Sequence, residues 1–234
     1  MSIRSGEIHV WLVSPPGISD YLESLSLILN AAESSKAARF YLERDRTLFL
    51  CAHASLRLIL SLYNDVEPSK IEFDFSHNGK PKLKPSQNKT NIEFNLSHTF
   101  ELAVIGVTTS ERIGIDVEFL NETVFSDDLL ERISTDEEIK FYLNQPPENR
   151  FQAFYHLWTR KEALLKAVGL GLNVDPDRVF VKPEEITPRI QLPFVDNATY
   201  PKLKVLDFRP SQFYVGSVAV ENESPTLSFF NLTF

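Results

Sequence analysis

The sequence predicts an α+β fold of two similar halves, each with helices packed on a mainly antiparallel sheet. Three observations predict it. One order of patterns runs twice along the 234 residues: a strand, then helices, then several strands. The strand signals come in runs, and so do the helical ones, which is the α+β arrangement. The length suits one large domain or two small ones, and 43% hydrophobic with 24% charged residues is an ordinary globular composition. No repeat of the residues themselves accompanies the repeated order. The boundary falls near 110–120, so the halves are taken as 1–112 and 113–234. A site is expected between them, since sites tend to form between such halves.

Each element rests on a local pattern. Glu7 to Val13 alternates polar and apolar residues and meets Pro15-Pro16-Gly17, a strand and a turn. Asp20 to Ala32 has apolar residues at 22, 25, 28 and 29, the spacing of a helix. Arg39 to Tyr63 is a longer helical pattern with Leu48, Ala52, Leu56, Ile59 and Leu60 on one face, ended by Asn64-Asp65 and Pro68. Ile71 to Phe75 alternates before the turn Asn78-Gly79-Lys80-Pro81. Asn91 to Ser97, Leu102 to Thr108 and Ile113 to Glu118 are three further strands. Asp127 to Ile133 is a short helix, and Thr135 to Leu143 a second, with Ser134 as cap and Glu137 three residues on. Pro146-Pro147 breaks the chain before a helix from Arg150 to Val168, closed by Gly169 and Gly171. The rest is β-rich: Val179 to Lys182, Leu203 to Phe208, Phe213 to Val220 and Leu227 to Leu232, with Pro183 to Pro201 as an irregular connection.

Composition excludes several classes. The formal net charge is -8, which disfavours sequence-independent binding of nucleic acid. Any phosphate or acidic partner must meet a local basic patch. The longest apolar runs, such as Ala103 to Val107, are far short of a membrane span, and Met1 to Trp11 lacks a long apolar stretch. A cytoplasmic address is the expectation. The single cysteine, Cys51, excludes a disulfide within the chain and a thiolate metal site, and reads as buried filler in an apolar helix.

Four clusters carry chemistry. In Gly114-Ile115-Asp116-Val117-Glu118 the two acids stand on the same face of a strand. They repel each other unless a cation lies between them, and hard oxygen donors suit Mg²⁺. In Trp158 to Lys166 the residues Trp158, Glu162 and Lys166 share one helical stripe. Glu162 there offers a third carboxylate and Lys166 a phosphate contact; a surface Glu–Lys pair beside a core tryptophan reads the same way. Phe94-Asn95-Leu96-Ser97-His98-Thr99 ends a strand with a hydroxyl and an imidazole, without a nucleophile-elbow pattern around Ser97. Arg44-Asp45-Arg46 and the turn Gly79-Lys80-Pro81-Lys82 are basic and suited to phosphates.

Taken together, FNLSH, GIDVE and WTRKEALLK resemble the three signature motifs of the 4'-phosphopantetheinyl transferase superfamily. The likeness is to the surfactin-synthetase-activating type, whose third motif reads W-x-x-K-E-A-x-x-K. The carrier synthase type of fatty-acid synthesis, a shorter chain that works as a trimer, resembles this one less. Arg39-Phe40, Glu43 to Arg46 and the Gly-Lys-Pro turn resemble two further family segments. The matches run from about residue 39 to 172; beyond that only the β-rich character fits.

The resemblance implies an enzyme that moves the phosphopantetheine arm of coenzyme A onto a serine of an acyl carrier protein, or of a peptidyl or polyketide carrier domain. Adenosine 3',5'-bisphosphate would leave. Asp116, Glu118 and Glu162 would hold Mg²⁺, or Mn²⁺ in its place. Lys166 would meet the α-phosphate, and Glu162 or a metal-bound hydroxide would take the serine proton. Arg46 and His98 would grip the 3'-phosphate, with Lys80 at the adenosine end and Ser97 on the nucleotide. Lys36 and Arg39 align more loosely with that phosphate site, and Glu137 with an acid that binds a metal water. Phe119-Leu120 and Gly169 to Leu172 are candidate carrier contacts or core. A monomer is expected. Two other readings are weighed. A metal-dependent nuclease or phosphoesterase calls for a basic surface or an E-x-K spacing, whereas Glu162 and Lys166 are four apart. A non-catalytic carrier-binding module would not need the intact acids and lysine.

Overall fold

The computed structural model describes residues 1–15, 19–109, 112–171, 174–181 and 203–232. The strands and helices of the first stretch are β1 (Glu7–Val13), α1 (Leu22–Ser26), α2 (Ala31–Ala37), α3 (Glu43–Tyr63), β2 (Phe73–Phe75), β3 (Pro81–Leu83), β4 (Glu93–Thr99) and β5 (Leu102–Thr108). Then come β6 (Ile113–Phe119), α4 (Asp127–Ile133), α5 (Asp136–Leu143), α6 (Pro147–Val168), β7 (Lys204–Ser211), β8 (Tyr214–Val220) and β9 (Thr226–Leu232). The chain divides into two units, Met1–Ser110 with Thr226–Phe234, and Glu111–Pro225. The architecture is α+β, and every described strand pairing except β1 with β9 is antiparallel.

In the first unit the sheet order is β4-β5-β1-β9, beside a small β2-β3 hairpin. The apolar face read for the long helix is the face α3 buries: Leu48, Ala52, Leu56, Ile59 and Leu60 join Trp11, Val13, Phe94, Ile105 and Val107 in one core. Cys51 is fully buried in that core, and burial pushes its thiol up to about 11. Arg57 is buried as well, donating to Glu33 at 2.9 Å and to the carbonyls of Pro68 and Ile71. It pins α2 to α3 and to the chain that follows.

Three differences from the sequence reading belong to this unit. The helix expected over Asp20 to Ala32 is two helices, because Asn30 caps α2 in a reciprocal box with Glu33. The long helix starts at Glu43 instead of Arg39. The last strand, assigned to the half 113–234, pairs in parallel with β1, Glu7 facing Thr226 and Val13 facing Leu232. Alternation marks a strand but not the sheet it joins.

In the second unit β6-β8-β7 is an antiparallel sheet covered by α6. Its core draws Leu130, Phe154, Leu164 and Val215 together. Pro147 lies in the first turn of α6, where its missing N–H costs nothing, so the helix begins before Arg150. Gly169 closes it with φ 72°. The cap of α5 is Thr135 with Glu138, one residue past the Ser134–Glu137 pair read from the sequence. Val179 to Val181 forms no strand; Val181 N donates instead to Glu138 Oε1 at 2.7 Å. Lys182 and the connection 183–201 lie outside the described residues. No helix among the described residues is long and apolar enough to cross a membrane.

Candidate active site

Strand β6 and helix α6 bring the acidic motifs together. Gly114, Asp116 and Glu118 alternate onto one face of β6. A Cβ added at Gly114 would stand 3.0 Å from Ala167 Cα and closer still to Ala163 O and Ala167 N. The helix backbone therefore rests directly on the strand, with Ala163 and Ala167 as the small residues at the contact. That closeness lets Lys166 Nζ donate to Asp116 Oδ1 at 2.6 Å. Asp116 is only 3% exposed.

Glu162 completes the cluster. Its Oε1 is buried and has no hydrogen-bond partner among the described residues. Burial, and then the charge of Asp116, raise its carboxyl pKa, while Lys166 pulls it down. Glu118 Oε1 accepts from Trp158 Nε1 at 3.1 Å, so the third acid is tied to the same helical stripe. Among the described residues no group of three or more His, Cys, Asp or Glu side chains is arranged as a metal site. The chemistry of the donors nonetheless fits a hard divalent cation. A carboxylate oxygen of Asp116 holds the Lys166 ammonium, and a buried carboxylate oxygen of Glu162 lacks a donor.

The residues just before Glu162 anchor the helix. Arg160 grips Asp207 with both edges of the guanidinium, Nε to Oδ1 at 2.9 Å and Nη2 to Oδ2 at 2.6 Å. Ser217 Oγ also donates to Asp207 Oδ1, and Thr159 and Ser217 share a hydroxyl bond, each at 2.9 Å. Burial works against the Asp207 carboxylate, but His156 and Arg160 beside it hold its pKa well below the ordinary range. Lys161 is fully buried, its Nζ donating to Glu138 Oε2 at 2.6 Å and Pro176 O at 2.8 Å. Burial lowers the Lys161 pKa against the pull of Glu138. Glu137, aligned by resemblance with a metal-water acid, is exposed on α5. The sequence reading gave no role to Lys161, Asp207 or Ser217. Asp207 interrupting the apolar pattern of Val205 to Phe208, and Lys161 standing at the first lysine of the W-x-x-K-E-A string, were the visible signals.

The expected nucleotide residues belong to the first unit. Ser97 is buried and His98 exposed, neighbours on β4, an outer strand of the described sheet. The Arg44 guanidinium lies 5.4 Å from the Phe100 ring centre, which brings the start of α3 to the β4–β5 turn beside them. Arg46 lies two residues further along that helix, Nη1 3.6 Å from Glu43 Oε2. Lys80 is half-buried in the hairpin turn, its N–H donating to Ser76 Oγ at 3.0 Å. Of the apolar contact candidates, Leu120 and Leu170 pack against the second core and Phe119 edges onto Tyr214; Leu172 lies outside the described residues.

Residues 112–213 match a family model described as the 4'-phosphopantetheinyl transferase superfamily, and 15–110 one described as 4'-phosphopantetheinyl transferase, N-terminal. The 4'-phosphopantetheinyl transferase HetI of Nostoc sp. strain PCC 7120 is 32% identical over 221 residues, 94% of this chain and 90% of that one. The chain belongs to the 4'-phosphopantetheinyl transferase superfamily. The 4'-phosphopantetheinyl transferase Sfp of Bacillus subtilis strain 168 is 28% identical over 160 residues, 68% of this chain and 69% of its own. A mouse relative, L-aminoadipate-semialdehyde dehydrogenase-phosphopantetheinyl transferase, is 25% identical over 184 residues, 72% of this chain and 56% of its own. This transferase is thus of the Sfp-like type, an enzyme of a family that takes phosphopantetheine from coenzyme A and places it on carrier proteins.

Proposed function

We propose that this transferase works with Mg²⁺ held by Asp116, Glu118 and Glu162, Mn²⁺ serving in its place. The observation that carries the reading is the buried Glu162 oxygen without a donor, in a cluster where Lys166 already lies on Asp116. The buried Asp116 and half-buried Glu162 carboxylates against one ammonium leave a negative charge that a divalent cation balances. Bound there, the metal supplies charge neutralisation along the diphosphate of coenzyme A.

The side chains divide the work. The carrier serine Oγ attacks the β-phosphorus, and a carboxylate oxygen of Glu162 would take its proton. The bond from that phosphorus to the bridging oxygen breaks, and adenosine 3',5'-bisphosphate leaves. Lys166 stabilises the charge that grows on the departing phosphate. Arg46 and His98 hold the 3'-phosphate, Lys80 the adenosine end and Ser97 the nucleotide. The acceptor is an acyl carrier protein or a peptidyl or polyketide carrier domain, met by a monomer in the cytoplasm.

Incubation with coenzyme A, Mg²⁺ and an apo-carrier is expected to add the mass of one phosphopantetheine to the carrier. Asp116→Ala is expected to abolish that gain while circular dichroism stays unchanged. Normal turnover of Asp116→Ala at saturating Mg²⁺ would sink the metal-site reading. Cleavage of coenzyme A without any gain on the carrier would point to a phosphoesterase.

A further inference from the structure

Asp116 on β6 faces Ser217 on β8, and Ser217 faces Asp207 on β7. Directly paired residues share a face, so the three form a row across the sheet on the side of α6. The row is bonded to the helix at Thr159 and Arg160, within one turn of Glu162. One end of the row is thus an acid of the candidate metal site, and the other end fastens the helix that carries the second acid.

We propose that Asp207, with Ser217, is a positioning residue for Glu162: it sets the rotation and height of α6 on the sheet. The contact at Gly114, Ala163 and Ala167 brings helix and strand close, but small smooth surfaces do little to resist rolling. A bidentate guanidinium–carboxylate pair is directional and does resist it. Lys161, bonded to Glu138, fastens the helix toward α5. A roll of only about 10° displaces a carboxylate at the helix rim by about 1 Å. Misplacement on that scale is enough to spoil a catalytic geometry. The Asp207 and Ser217 side chains meet helix residues and each other, which makes them supports of the site and not reacting groups.

The inference rests on the metal-site reading, and the experiment separates the two. Asp207→Asn and Ser217→Ala are made in the full chain, with Leu130→Ala, a buried residue of α4 in the same core, as a destabilised control. Mn²⁺ binding is measured by calorimetry without coenzyme A, and kcat and carrier KM are measured well below each melting temperature. Asp207→Asn is expected to weaken Mn²⁺ binding about tenfold. Its kcat falls and its carrier KM stays unchanged, whereas Leu130→Ala binds Mn²⁺ as the unmodified enzyme does. Ser217→Ala, a milder change, shows the same pattern to a smaller degree and decides the matter should Asp207→Asn fail to fold. Folded variants with Mn²⁺ affinity within twofold of the unmodified enzyme overturn the inference. Failure of the metal-site reading looks different: Asp116→Ala would then bind Mn²⁺ like the unmodified enzyme.

Discussion

Replacing Gly114 by alanine tests the closeness on which the site depends. The new Cβ would lie 3.0 Å from Ala167 Cα and closer still to Ala163 O and Ala167 N. A carbon beside a carbonyl oxygen needs about 3.3 Å, so α6 must retreat by about 1 Å. The obstacles are backbone atoms, and no rotamer change or trimming of Ala163 or Ala167 relieves them. Overpacking of this kind costs about 3 kcal/mol. For a chain of this size that lowers Tm by about 6–12 °C. The same retreat draws Glu162 and Lys166 away from Asp116, and a displacement near 1 Å costs about 100-fold in rate. Differential scanning fluorimetry gives the first quantity. Mass spectrometry of the carrier, at a temperature where the variant is folded, gives the second. A Gly114→Ala enzyme with unchanged Tm and turnover would refute the helix-on-strand packing and the account of the site built on it.

Two further outcomes concern ion pairs that anchor helices. Arg57→Met removes the guanidinium from the Glu33 carboxylate, whose side chain is 12% exposed and keeps the Asn30 N–H, and is expected to cost about 3 kcal/mol in urea unfolding. Adding Glu33→Gln should recover part of that loss, and an unchanged midpoint in the single variant contradicts the pair's role. The second outcome is a pH dependence. The Asp207 pKa is depressed below its ordinary 3.8, so its pairing stabilises the fold fully above that value and loses its effect as pH falls below it. The Tm difference between the unmodified enzyme and Asp207→Asn should therefore shrink from pH 5 toward pH 3, and a constant difference would count against the assignment.

The chemistry was legible where it sits in short strings. Asp116, Glu162 and Lys166 lie in two segments whose periodicities, two on a strand and close to four on a helix, announce shared faces. Resemblance then tied the segments together. Support for the site was not legible in the same way. Lys161 finds Glu138 and Arg160 finds Asp207 across long stretches of chain, and no local period encodes such a meeting. The glycine of the GIDVE string has a packing reason that appears only when the helix lies on it. Cap chemistry was present but misread: Asn30 with Glu33 and Thr135 with Glu138 are both in the sequence at the right spacing. The long apolar pattern hid the first, and an adjacent serine shifted the second by one residue.

Strand β9 lies beside β1, although the whole second unit is encoded between them. During synthesis the ribosome must therefore complete the second unit's stretch before β9 emerges, and until then the hydrogen-bonding groups along one side of β1 have no strand from this chain to meet. An open strand side of that kind invites pairing with another molecule. Nascent chains halted before residue 226 should consequently lean on chaperones more than full-length ones, and the first unit to begin translation is the second to be finished.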